Sequence, residues 1–279
     1  MTQMRSLEQQ ALESVAEGFR LNALKLPALP EVTAKVRAIA ADPDAGVEDL
    51  AREIMRDAGL TARLMRIANS PLLRGRMEVR TLSQAITRLG FFYVRDLVTA
   101  LALEHTFEPR SETTRRLHQD ISRRSKDVAA VSQVLARHCT SLPPEQALLA
   151  GLLHYIGALP LLAAMDDAAA AQVDVKALAE LIEMLHAEVG SQILRHWRFP
   201  EDIAAVPMAY REPGRDGTKP DYADIVAVAC LLARPLSEAQ AQAWEDFPPA
   251  RRLGLNAPDE FHQDEAMQID LQQSRSMLS

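Results

Sequence analysis

Apolar residues recur along this chain at intervals of three, four and seven positions, and β-branched or aromatic residues seldom alternate with polar ones over the length of a strand. The helical period is the only sustained signal, so the pattern predicts an all-α fold. A first helix is expected from Leu7 to Leu26, ending at Pro27, because the proline ring and the missing N–H discourage helix around Leu26 to Pro30. A second begins near Pro30 with Val32, Val36 and Ile39 on one face and is stopped by Asp42-Pro43-Asp44. Leu50, Ile54 and Met55 mark a third, and Leu60, Leu64, Ile67 and Ala68 a fourth that ends at Asn69-Ser70-Pro71. After an arginine-rich loop, a Thr81 hydroxyl is placed to cap a helix through Ile86 and Leu89 that closes on Gly90. The next starts at Phe91 and carries Val94, Leu97, Val98, Leu101 and Leu103; Pro109 marks a boundary.

One long helix is expected from Glu112 to His138, its stripe of Leu117, Ile121, Val128, Val131 and Leu135 passing through Arg124 and Ser125. Beyond Pro143-Pro144 come Leu148 to Leu162, an alanine-rich stretch, two helices around Leu178 to Leu185 and Val189 to Trp197, and another from Pro200. Helices around Ile203 to Tyr210 and Tyr222 to Arg234, joined by the loop Pro213 to Pro220, complete the core. The segment from Leu236 is acidic, and its last twenty residues are expected to be mobile or a peripheral helix.

With 48% apolar and 25% charged residues in 279, the chain can bury a sizeable core. No basic tip precedes an apolar run at the start, and no apolar stretch is expected to reach the roughly eighteen residues that span a bilayer, so a cytoplasmic location is expected. Cys139 and Cys230 stand apart and outside any CxxC spacing, as reduced buried thiols would. The net charge of −7 argues against a general nucleic-acid coat. The sign is uneven, however: Arg63, Arg66, Arg74, Arg76, Arg80, Arg88 and Arg95 have Glu78 as the only acid between first and last. Such a run can grip phosphates or carboxylates, with Arg74, Arg76 and Arg80 on a loop; the weightier reading is solvated helix faces with ion pairs between helices. The acidic Asp259, Glu260, Asp264 and Glu265 could fold back on that patch or simply solvate the chain end.

Phe91-Phe92-Tyr93 at a helix start are read as core, with an exposed partner surface as the rival. His154, between Leu153 and Ile156, and His186 are read as satisfied core histidines before ligands. No glycine-rich phosphate loop, nucleophile elbow or HExxH spacing occurs, and no cofactor is expected.

Several segments together resemble the HDOD family, bacterial regulatory proteins related to HD-domain metal phosphohydrolases. They are Leu26-Pro27-Ala28-Leu29-Pro30-Glu31-Val32; Leu60 to Leu64 with Ile67-Ala68-Asn69-Ser70; and Leu82, Ala85-Ile86 and Leu89-Gly90 with Val94-Arg95. Further along stand Gly151-Leu152-Leu153-His154-Tyr155-Ile156-Gly157, His186-Ala187-Glu188-Val189-Gly190, Leu194, Trp197 and Pro200. The resemblance covers about Phe19 to Arg234. An active relative holds one or two metals on histidines and aspartates of several helices. By that resemblance Arg124 stands at the first family histidine, His154-Tyr155 at the His-Asp pair, His186 at the next histidine, Tyr210-Arg211 at a later histidine pair, and Cys230 or a neighbour at the final aspartate. A cation and two tyrosines in place of ligands imply a vestigial pocket without metal or hydrolysis.

The expected architecture is an N-terminal helical subdomain at 1–108 packed on an HD-like helical bundle at 109–235, with an accessory acidic tail at 236–279. The resemblance implies a non-catalytic signal-transduction protein that contacts other signalling proteins, in two-component or cyclic di-GMP circuits, away from membranes and nucleic acid. Two rivals stand beside it. One is a residual phosphohydrolase at His154 and His186; the other binds a nucleotide second messenger or nucleic acid through the arginine cluster.

Overall fold

The computed structural model describes residues 29–73, 77–106, 111–168 and 175–278. The expected helix from Leu7 to Leu26 lies outside them, as do Arg74 and Arg76. Among the described residues every regular element is helical.

The N-terminal part comprises α1 (Glu31–Ala41), α2 (Val47–Ile54), α3 (Ala58–Ala68), α4 (Leu82–Leu89) and α5 (Phe91–Thr106). Two of its helix starts are set by side-chain caps. Asp57 accepts from the Leu60 N–H at 2.9 Å and Thr81 from the Gln84 N–H at 3.2 Å, each satisfying an amide that the helix itself leaves without a partner. Gly90 ends α4 with φ +96°, a conformation other residues rarely adopt. On α1 the fully buried side chains are Thr33, Val36 and Ala40, with Val32 and Ile39 packed at the edge, so the inner face is rotated slightly from the expected one.

The bundle is built on α6 (Glu112–Cys139), whose N-terminus is capped by Ser111. Against it lie α7 (Pro144–Leu153), α8 (Ala158–Ala168), α9 (Val175–His196), the short α10 (Glu201–Ala204) and α11 (Val206–Ala209), and α12 (Tyr222–Leu232). The expected pair of helices at Leu178–Leu185 and Val189–Trp197 is one helix of 22 residues, because His186-Ala187-Glu188 contains no breaker and Gly190 packs on Pro207 instead of ending a turn. The expected helix Leu148–Leu162 is broken at His154–Gly157 into turns held by i to i+3 bonds, Ile156 N–H to Leu153 at 3.1 Å and Ala158 N–H to Tyr155 at 3.0 Å.

Glycine explains where that break sits. A Cβ on Gly157 would lie 2.1 Å from the His186 carbonyl oxygen and 2.5 Å from the Gly190 nitrogen, so only a residue without a side chain lets the turn lie against the α9 backbone. Replacing Gly157 by alanine should cost about 2 kcal/mol, since rigid backbone must move to admit the methyl group. Urea denaturation measures this, and an unchanged midpoint would contradict the close approach.

The run Pro144–Ala164 is, by length and composition, apolar enough to cross a membrane, which corrects the expectation that no stretch reaches that length. In this fold 83% of its most apolar window is buried, as the centre of a helical core requires.

The C-terminal segment also departs from expectation. It forms α13 (Glu238–Gln242), a 3₁₀ turn (Ala243–Asp246), α14 (Pro248–Leu253), α15 (Pro258–Gln263) and α16 (Glu265–Leu278). Of the two expected outcomes for the last residues the helix is the one found, and it packs inward: Met267, Leu271, Met277 and Leu278 are buried, and the buried Ser274 hydroxyl donates to Gln133 of α6 at 2.6 Å. Asp270 takes Arg137 at 3.2 Å and His138 at 2.8 Å. Asp259, Glu260 and Glu265 lie in first helical turns, where a negative charge complements the helix dipole, and Asp264 accepts from the Met267 N–H. A single hydrophobic cluster runs from Val36 through Leu135 and Phe261 to Leu278.

Candidate functional site

The break at His154–Gly157 aims two rings into the bundle. His154 is fully buried, and its Nδ1–H donates to the Gly151 carbonyl at 2.7 Å, which fixes Nδ1 as the protonated nitrogen. Tyr155 is 4% exposed and stacks on His186 of α9 with ring centroids 3.9 Å apart. Tyr210, just past α11, closes the group, its ring edge-on to His154 at 5.4 Å and its hydroxyl 3.3 Å from His186 Nε2.

Charged groups ring this aromatic centre. Arg211 Nη1 donates to His186 Nε2 at 2.9 Å and also to the Glu183 carbonyl, so Nε2 is an acceptor and the proton of His186 sits on Nδ1. From α6, Arg124 lies 5.1 Å above the Tyr155 ring and reaches Glu183 Oε1 at 3.5 Å. The Tyr155 hydroxyl donates to the same oxygen at 2.7 Å.

Burial decides the protonation states. It pushes His154 down to about 4, opposed by the Gly151 bond, with the Arg124 charge adding to the fall. It pushes His186 down to about 2, reinforced by Arg211, His154 and Arg124. Both imidazoles are therefore neutral at physiological pH. Burial raises the Tyr155 and Tyr210 phenols far above their ordinary value, and raises the Cys230 thiol to about 12 against the pull of Arg124 and Arg234.

These residues do not fit a metal ion. The Nε2 of His186 already accepts from a guanidinium, two fixed cations stand within the group, and Cys230 is a thiol rather than a thiolate. Among the described residues no cluster of three or more histidine, cysteine, aspartate or glutamate side chains could hold one. His154 Nε2 and His186 Nδ1 are buried without a hydrogen-bond partner among them.

The structure thus brings Arg124, His154, Tyr155, His186, Tyr210 and Arg211 together, with Cys230 near enough to feel the Arg124 charge. Glu183, which the sequence reading missed, joins them from one turn before His186.

The arginine stretch is more dispersed. Arg88 donates to the Ala68 carbonyl at 3.2 Å and to that of Met77, and Asn69 clamps Val79 with two bonds of 2.8 Å, so both anchor the ends of the arginine loop. Arg95 makes a bidentate pair with the buried Asp96 at 2.7 Å, and Arg37, also missed, joins it at 3.3 Å. Arg63 lies half-buried on α3, and Arg66 and Arg80 are exposed. Of the aromatic triplet, Tyr93 is buried, Phe91 packs at the core edge, and Phe92 is 61% exposed beneath Arg95.

The model of the HDOD domain matches residues 26–213. The chain belongs to the HDOD family. This HDOD chain is similar in fold to a Shewanella amazonensis protein whose name proposes a metal-dependent phosphohydrolase, at 24% identity and a TM-score of 0.84 over 98% of this chain and 100% of that one. It is also similar to an HDOD domain protein of unknown function from Geobacter sulfurreducens, at 19% identity and a TM-score of 0.62 over 97% of each chain. No curated protein sequence matches it.

Proposed function

We propose that this HDOD chain is a non-catalytic, cytoplasmic regulatory module that works through contacts with other proteins. One observation carries the non-catalytic half: the nitrogen His186 would offer a metal accepts instead from Arg211, 2.9 Å away. Membership of the family supports the regulatory half. Support for protein contact comes from two exposed methionines on helices that carry or adjoin pocket residues, Met184 of α9 at 68% and Met208 of α11 at 40%. Methionine suits adaptable apolar docking. The rival reading, an anion surface made by the arginine stretch, loses support because Arg88 and Arg95 are held by internal partners.

The chain, purified free of metal and then supplied with manganese, iron or zinc, should hydrolyse neither phosphate monoesters nor cyclic dinucleotides above the buffer rate. Turnover that disappears in His154→Ala would overturn the proposal.

A further inference from the structure

Glu183 is half-exposed, yet donors from three other parts of the chain meet its carboxylate. Oε1 takes the Tyr155 hydroxyl at 2.7 Å and faces Arg124 at 3.5 Å; Oε2 lies 3.8 Å from both Arg211 Nη1 and His186 Nε2. Each donor also has a contact other than that carboxylate. Tyr155 is held by its stack on His186, Arg124 by its seat over the Tyr155 ring, and Arg211 by the Glu183 backbone carbonyl and His186 Nε2. The carboxylate itself is at the end of a side chain 50% exposed to solvent, so it can rotate out while the cradle remains.

The geometry points to an oxyanion site that Glu183 occupies in the manner of a built-in ligand, and whose outside ligand is a phosphate-class dianion. Charge favours a dianion over a carboxylate. Arg124 and Arg211 supply two positive charges, the imidazole beside them is neutral, and one carboxylate leaves half of that charge unanswered; phosphate answers both and suits guanidinium geometry. The site would bind the phosphoryl group without reacting with it, and in that sense the inference rests on the non-catalytic reading above.

The test is titration calorimetry of the full chain with inorganic phosphate at constant ionic strength, using wild type, Glu183→Ala and Glu183→Ala with Arg124→Gln. Removing the internal carboxylate should tighten phosphate binding at least tenfold, and the second substitution should abolish the gain. Acetate should gain less than phosphate. Phenyl phosphate bound more tightly than phosphate would identify the ligand as an organic phosphate; equal binding would identify free phosphate. If Glu183→Ala does not fold, Glu183→Gln, which removes the charge and keeps the length, is compared in the same way. No gain in the folded variant, or an equal gain for acetate, overturns the inference. Hydrolysis of phenyl phosphate would instead refute the non-catalytic reading, so the two failures are told apart.

Discussion

Replacing Tyr155 by aspartate, which would supply the carboxylate that the resemblance to HD phosphohydrolases places beside His154, is expected to unfold the protein more readily and to bring no hydrolysis. The ring is buried, stacks on His186 at 3.9 Å and carries the hydroxyl that holds Glu183. Truncating such an aromatic removes its packing and leaves a cavity, a loss of about 3 kcal/mol or more. The new carboxylate cannot recruit a metal, because Arg211 still occupies His186 and Arg124 still stands above the position. Urea denaturation with a hydrolysis assay reads both parts. An unchanged midpoint would show that Tyr155 does not pack as described.

The second large effect is on pH. In the unfolded chain both pocket histidines take up protons near pH 6.5, whereas in the fold burial holds them at about 4 and about 2. Below pH 6.5 the unfolded state therefore binds protons that the native state does not. The stabilisation is complete above that pH and is lost as pH falls towards 4, with His186 continuing lower. Each imidazole contributes a slope of up to about 1.4 kcal/mol per pH unit. Between pH 6.5 and 5, before most carboxylates titrate, stability should fall steeply, and His154→Asn should reduce the slope. A flat profile over that window would mean that the rings are solvated or charged in the native state.

Much of the architecture is legible in the sequence because its causes are local. The stripe of α6, the Thr81 cap, the positive φ at Gly90 and the stop at Asp42-Pro43-Asp44 each follow from neighbouring residues. The pocket positions follow from the resemblance, which aligns residues that the fold then brings together. What escapes depends on distant partners. The break after Leu153 comes from the approach of Gly157 to the α9 backbone, an event that helical periodicity within an apolar run cannot register.

The chain end reads as acidic and peripheral because Asp259, Glu260 and Glu265 dominate its composition, yet they sit at helix starts while Met267, Leu271 and Ser274 turn inward to α6. Glu183 looks like any solvated helix residue; its spacing of three from His186 was the one available signal, and only the positions of Tyr155 and Arg124 give that spacing meaning. The same holds for Asp224, a buried carboxylate shared by Arg215 at 2.9 Å and Arg252 at 2.6 Å, which ties the loop before α12 to the C-terminal segment.

The central claim is that the two pocket histidines are neutral structural groups and not metal ligands, and their ring nitrogens report on it directly. A long-range proton–nitrogen correlation spectrum of the imidazoles at pH 7, recorded before and after one equivalent of zinc, is the measurement. The account predicts His154 and His186 as neutral rings protonated at Nδ1, with Nε2 resonances that zinc does not move. A zinc-induced shift at Nε2 of both rings would contradict it.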